Sequence, residues 1–300
     1  MKSSVKVFRV LAALFLLAFS VYALLDTFLI PRVYADAEDP QRTDSAATAQ
    51  TLSCIVGETP QITENSYDDG RLRVEISSYR VKDSTVYVAD LYTEDPKAML
   101  AAFSHNSYGR NVTAVSSETA EEVGAILAVN GDNYGSREKG YVIRNGVLYR
   151  ESPASNQEDL VIWSDGSFSI IREEEVSAAE LLEQGAWQVF SFGPGLLENG
   201  QILVDRSEEV DRAKASNPRT AIGFLEEGHY VLVVSDGRTD ESKGLSLYEL
   251  TQFLQQQGVQ TAYNLDGGGS STMVFLGRVV NQPVGGRGSG QRAVTDIVYV

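Results

Sequence analysis

Cysteine is almost absent. Cys54 stands alone in 300 residues, so no internal disulfide can form, and a disulfide scaffold or a CxxC zinc site is excluded. Histidine is nearly as scarce, with only His105 and His229, which counts against a histidine-rich transition-metal centre. Positive charge is short as well. Twenty-five lysines and arginines face 41 acids, for a net charge of −16, whereas a nucleic-acid binder needs a basic footprint. No G-x-x-x-x-G-K-[ST] phosphate loop and no G-x-S-x-G nucleophile elbow occurs. "GGRGSG" (Gly285–Gly290) imitates a dinucleotide loop, but too little chain follows it for a βαβ unit. It reads as a loop that carries Arg287 to a ligand.

What is present begins with one long apolar run. Lys2, Lys6 and Arg9 precede Val10–Ile30, which holds a single charge, Asp26. About 20 apolar residues span a bilayer, and positive charges ahead of them favour a cytoplasmic N-terminus. The run exceeds the ~7–15 residues of a signal-peptide core. That favours a retained anchor over cleavage after "VYA" (Val33–Ala35). The expected division is a cytoplasmic N-terminus (1–9), a transmembrane signal anchor (10–30), a flexible acidic linker (31–70) and a folded extracytoplasmic domain (71–300). The linker reading rests on "ADAEDPQRTDSAATAQ", which is small, acidic and aperiodic.

Hairpin signals fill the domain. "YVIRNGVLYR", "LVIWSDGSFSII" and "GLLENGQILV" each set Asn-Gly or Asp-Gly between apolar-alternating arms, the chemistry of a type I′ turn. "AIGFLEEGHYVLVV" and "TMVFLGRVVNQ" predict two more, with glycine at the turn. Helices are few. "SLYE" is a capping box of Ser246 and Glu249 opening a helix that Gly258 stops, "SAAELLEQG" repeats the pattern, and "SETAEEVG" is a third. Many antiparallel hairpins with a few packed helices predict an α+β fold.

One pattern occurs twice. "GAILAVNGDNYG" and "GVQTAYNLDGGG" share G-x-x-x-A-x-N-x-D-x-x-G, matching Asn130 and Asp132 to Asn264 and Asp266. Each copy follows a helical segment, which predicts a duplicated helix–strand–loop unit whose loops meet at one site. In the second copy Asp266 precedes Gly267, Gly268 and Gly269, then Ser270, Ser271 and Thr272. Successive glycine N–H groups can form an anion-binding nest. Asp236 in "VVSDGR" ends another apolar strand beside Arg238, and Arg219 and Thr220 in "NPRTAIG" open a third. Asp loops and arginines at strand ends point to an anionic substrate.

In order and spacing, "NPRTAIG", "VVSDGR", "SKGLSLYEL" and "AYNLDGGGSSTM" resemble the phosphodiester glycosidase family. The resemblance implies a hydrolase that cleaves a sugar 1-phosphodiester at the anomeric C–O bond, in cell-envelope or exopolysaccharide metabolism. It assigns Asp266 as base or nucleophile with Asp236 as partner and Asp132 as a further acid. Arg219, Thr220 and Arg238 would hold the phosphate, Asn130 and Asn264 the sugar or the acids, and the glycine loop with its hydroxyls would supply donors. In the animal members the counterpart of Arg238 is glutamine and the acid of Asp132 is missing, so the weight falls on Asp236, Asp266, Arg219 and Asn264. The expected partners are a phosphate-bearing carbohydrate and, through the anchor, the membrane, with no nucleic acid. No cofactor is required, although the plentiful carboxylates leave room for an oxygen-ligated divalent cation such as calcium. The alternatives are a glycopolymer-binding module without catalysis and a phosphodiesterase that cleaves P–O.

Overall fold

Each of the five hairpins forms where its turn residues lie. The computed structural model describes residues 2–37, 59–205, 216–285 and 290–300. Asn145-Gly146 (φ +54° and +77°) and Asn199-Gly200 (+50° and +72°) close type I′ turns, because both positions accept left-handed backbone. Asp165-Gly166 differs. Only Gly166 is left-handed, at φ +83°, and the Trp163 amide donates to Ser167 O at 2.9 Å, which makes a longer turn than type I′.

The strands form three large sheets, each wholly antiparallel, as the α+β reading expects. The largest has nine strands, with Thr261–Leu265, Arg219–Glu226, His229–Ser235, Ser84–Thr93 and Leu72–Val81 as consecutive neighbours. A five-stranded sheet sets Leu127–Asn130 between Met273–Phe275 and Asp296–Tyr299. The other five-stranded sheet carries the Val142–Arg144 and Glu158–Trp163 hairpins. Side chains from all three meet in one core, among them Ile222, Leu232, Leu127, Val298, Leu160 and Phe190. Fully burying each stabilises the fold by roughly 1.5–3 kcal/mol.

The His229–Ser235 strand reads as a nearly unbroken apolar run because both its faces are covered. Leu232 and Val234 enter the central core, and Val231 and Val233 turn to the opposite face. There they meet the helix Leu247–Gln256, whose Leu247, Leu250, Phe253 and Leu254 fall at helical spacing. Ser246 and Glu249 form the expected capping box, as do Ser177 and Glu180 on the helix Ala178–Glu183. The third expected helix, Ser116–Glu122, lacks a side-chain cap.

The N-terminal helix runs from Lys2 to Phe28, and its Leu11–Phe28 stretch is long and apolar enough to cross a membrane. The stretch 31–70 is not uniformly the linker expected. Arg32–Asp36 is a strand paired antiparallel with Ser107–Arg110, and Gln61–Ile62 and Ser66–Asp68 form one edge of the nine-stranded sheet. Acidic composition averaged over the segment hides "RVY", whose valine and tyrosine suit a strand. Residues 38–58, which hold most of the acidic stretch and Cys54, lie outside the described residues, as does Arg287.

Candidate active site

Strand register gathers the second aspartate loop and the arginines at one end of the large sheet. Arg219 pairs with Ser235 and Thr220 with Leu265. The start of one strand therefore lies between the exits of two others, which leave at Asp236 and Asp266. Asp266 is only 7% exposed. Its Oδ2 accepts from Ser270 Oγ (2.6 Å) and from the Arg292 guanidinium (2.7 Å). Its Oδ1 has no hydrogen-bond partner among the described residues. Arg292 also donates through Nε to Ser270 Oγ at 2.8 Å, so the serine and the arginine together anchor that one oxygen. Arg292 keeps 44% of its side chain exposed, so the cation remains open to a ligand.

The three glycines are required by close approach. A Cβ on Gly267 would lie 2.9 Å from Pro218 O, and one on Gly269 would lie 3.0 Å from Gly285 Cα. At Gly268, with φ +61°, it would lie 3.0 Å from the Arg238 guanidinium. That arginine is exposed and is clamped from behind by Asn217 Oδ1, which accepts from Nε (3.0 Å) and Nη2 (2.8 Å). Arg238 itself has φ +61°, a conformation that costs a non-glycine residue roughly 1–2 kcal/mol. The Asn217 clamp holds a cation over the glycine loop despite that cost. The expected nest is partly spent within the protein, since Gly268 N–H donates to Pro218 O at 2.8 Å.

Several expected ligand contacts instead hold the loops together. Asn130 is fully buried; its Nδ2 donates to Asp266 O (2.6 Å), and its Oδ1 accepts from Thr220 Oγ1 (2.8 Å) and Thr272 N (3.2 Å). The Asp266 amide donates in turn to Gly131 O at 3.2 Å. The two copies of the repeated pattern therefore meet, each after a helix and a strand. Asn264, however, donates to Gly193 O (2.8 Å) and is buried, as are Ser271 and Thr272. Arg219 is 3% exposed, and its Nε donates to Leu245 O at 2.8 Å. It braces the loops from behind, and among the described residues the exposed guanidinium groups at the loop are those of Arg238 and Arg292.

Asp132 does not reach the cleft. It has no exposed surface, accepts from Arg144 (2.8 Å), Tyr134 N (3.1 Å) and Ser191 N (2.8 Å), and shares Arg144 with Asp296 (3.0 Å). Burial alone would raise its pKa, but the Arg144 charge and these hydrogen bonds hold it below the ordinary value. Asp296 bears the cost. Burial and the Asp132 charge push it up to about 7, against the pull of Arg144. The carboxyl of Asp296 also presses on Gly131, where a Cβ would lie 2.4 Å from it.

Asp236, 3% exposed, accepts from Gln282 N (2.9 Å) and Asn281 Nδ2 (3.2 Å). Burial raises its pKa, only partly offset by these bonds and the Tyr87 hydroxyl. Burial and the Asp236 charge push the Tyr87 phenol up to about 12. Arg292, Asn281 and Tyr87 are the residues sequence reasoning missed. "QRAV" has no motif to mark it, although the glycine-rich loop just before it was singled out for an arginine. A cation has one clustered donor set among the described residues, the exposed His105, Glu118 and Glu122, with ligand atoms within 4.8 Å of one another. It includes neither Asp236 nor Asp266.

Residues 123–300, more than half of the chain, match the sequence profile described as phosphodiester glycosidase. The chain belongs to the phosphodiester glycosidase family. The SPbeta prophage-derived uncharacterized protein YomE of Bacillus subtilis (strain 168) is 26% identical over 299 residues, covering 92% of this chain and 46% of that protein. The N-acetylglucosamine-1-phosphodiester alpha-N-acetylglucosaminidase of Mus musculus is 32% identical over 188 residues, 55% of this chain and 35% of the mouse protein. The chain thus spans less than half the length of these relatives. The zebrafish catalytic domain of the latter enzyme, solved auto-inhibited by its pro-peptide, shares the fold at TM-score 0.62 and 21% identity, over 92% of this chain and 98% of that one. In this family member, Asp236, Arg238, Asp266 and Arg292 lie inside the family segment, and Tyr87 and the apolar helix precede it.

Proposed function

We propose that the chain is an extracytoplasmic, membrane-anchored hydrolase that cleaves a glycosyl 1-phosphodiester at the anomeric C–O bond, releasing sugar and a phosphomonoester. The observation that carries this reading is Asp266, with one oxygen fixed by Ser270 and Arg292 and the other unengaged among the described residues, beside two exposed guanidinium groups. Guanidinium forks match phosphate oxygens in pairs. Arg238 and Arg292 would hold the phosphodiester and neutralise the charge that grows on it as the C–O bond breaks. A phosphate leaving group has its second pKa near ~6, so it departs with less help from an acid than an alcohol needs. Asp266 Oδ1 would then meet the anomeric carbon directly or through a water. Asp236, kept towards its neutral form by burial, is the candidate proton donor.

The names of the mammalian relatives support N-acetylglucosamine 1-phosphodiesters as the first substrates to try. Lys2, Lys6 and Arg9 ahead of the apolar helix support a domain facing outward, where envelope or exopolysaccharide phosphodiesters occur. The test is product analysis with detergent-solubilised full-length protein and a GlcNAc 1-phosphodiester. Free GlcNAc with a phosphomonoester supports the proposal. GlcNAc 1-phosphate would instead mean P–O cleavage. Binding of the substrate without release of either product would mean a glycopolymer-binding module.

A further inference from the structure

A second cationic site lies away from the Asp266 loop, where the strand after the apolar helix joins the domain. A cavity of about 170 Å³ is lined by Arg32, Arg110, Arg137 and Arg150, with Glu138 as its one acid. Arg32 pairs with Asp26, and Arg110 with Glu138 at 2.8 Å. The other two have no carboxylate partner among the described residues. Arg150 spends its donors on main-chain carbonyls, Tyr134 O (3.0 Å), Arg137 O (2.7 Å) and Gly140 O, and its Nη2 is buried without a hydrogen-bond partner. Arg137 donates to Ser191 O at 3.0 Å and lies over the Phe192 ring. Two uncompensated guanidinium groups in one cavity run against a chain whose net charge is −16. Like charges gathered in a pocket repel each other and are stabilised by an anion between them.

The walls fit a phosphate ester. Tyr34, Tyr108 and Tyr134 form a contiguous aromatic side, with ring centroids 5.9 Å and 5.1 Å apart along the series. Gly109 and Gly135, next in sequence to two of these tyrosines, also line the cavity. Position narrows the source. Asn111 Nδ2 donates to Thr27 O (3.3 Å) and Ile30 O (3.1 Å), capping the end of the apolar helix. Arg32 follows Phe28 by four residues, a span of at most roughly 14 Å. Any headgroup region around the end of that helix is therefore within reach of the cavity.

We propose that this cavity binds the phosphate of an anionic phospholipid headgroup and so seats the domain against the bilayer. The inference does not depend on the glycosidase reading. It is tested by thermal unfolding of full-length protein in phosphatidylcholine nanodiscs, with and without phosphatidylglycerol, and in phosphatidylcholine nanodiscs with added inorganic phosphate. Phosphatidylglycerol is expected to raise the melting temperature by about 3 °C or more, since a ligand that binds only the folded state stabilises it. Arg137→Gln and, independently, the rim substitution Arg110→Glu are expected to abolish the rise. Arg110 is partly exposed, so its replacement keeps the test valid if Arg137→Gln fails to fold. A rise with inorganic phosphate alone, lost in both variants, would keep the phosphate site and assign it a soluble source. No rise in any medium overturns the proposal. So does a rise that both variants retain and Arg238→Ala removes, because the anion would then be in the catalytic cleft.

Discussion

In the Gly131–Asp132 loop the acid is fully buried and locked to Arg144, whereas in the Asp266 loop one carboxylate oxygen has no partner among the described residues and lies beside an exposed Arg292. Both loops follow the same residue pattern, a helix and a strand, and they touch through Asn130 and Asp266. The difference arises in the partners. Asp132 meets a buried arginine at the end of a strand, whose Nη2 also bonds a second acid, Asp296. Asp266 meets an arginine that arrives from a loop and keeps its other side in solvent. A duplicated motif thus supplies two acids, and the depth of the cation beside each decides whether it holds the fold or faces a ligand.

The largest effect should come from the buried copy. Arg144→Met leaves Asp132 and Asp296 without their cation, and loss of one member of a buried ion pair typically costs about 3–5 kcal/mol. Urea denaturation should show that loss. A change under ~1 kcal/mol would mean that the triad contributes nothing net to stability. Asp266→Asn should do the reverse, lowering turnover of a glycosyl phosphodiester by at least ~10²-fold with its urea midpoint nearly unmoved. Retained activity with a shifted midpoint would reduce Asp266 to a loop cap. Arg292→Ala should come next, at about 10- to 100-fold in kcat/KM, from ~1.5–3 kcal/mol per charged hydrogen bond. Arg292→Lys should recover part of the loss, because it keeps the charge without the planar fork.

The last effect is on pH dependence, where the two members of the buried pair act in separate pH windows. Asp159 and Asp296 both have folded-state pKa values raised, chiefly by burial, Asp296 to about 7. An acid with a raised folded pKa contributes stability that is full below its unfolded value near ~4 and is lost as pH rises through the folded value. Asp132, held low, acts in the opposite sense and only in acid. Unfolding free energy should therefore decline from about pH 4 to about pH 7. Asp296→Asn should flatten that decline, and an unchanged slope in this variant would remove Asp296 as its source.

Local chemistry was legible in the sequence and distant pairing was not. Asn-Gly turns and the Ser246/Glu249 capping box act within a few residues, so the hairpins and helices could be placed before any coordinate. The Asp266 loop was legible for a related reason, because three consecutive glycines demand close approach. Arg292 was invisible because what matters is its meeting with Ser270, set by how Gly285 and Arg292 lie against Gly269. Asp132 and Asn264 misled for the same reason in reverse. Residue type suggested ligand contact, yet the packing of Arg144 and Gly193 against them decided otherwise.

The short strand Arg32–Asp36 changes what the chain on either side of it can do. It is zipped to Ser107–Arg110, and Asn111 grips the end of the helix. The chain is therefore paired with the domain both before residue 38 and after residue 58, and only residues 29–31 separate the helix from the first paired strand. With the helix in a bilayer, the cleft would stand at a fixed height above the surface. Substrate would have to come to that height, by lateral diffusion or as an overhanging polymer, rather than be searched for on a leash. Cutting the chain after Ala35 would also strip most of a strand from Ser107–Arg110 and expose its unpaired edge, so a shed domain would be stickier than a tethered one.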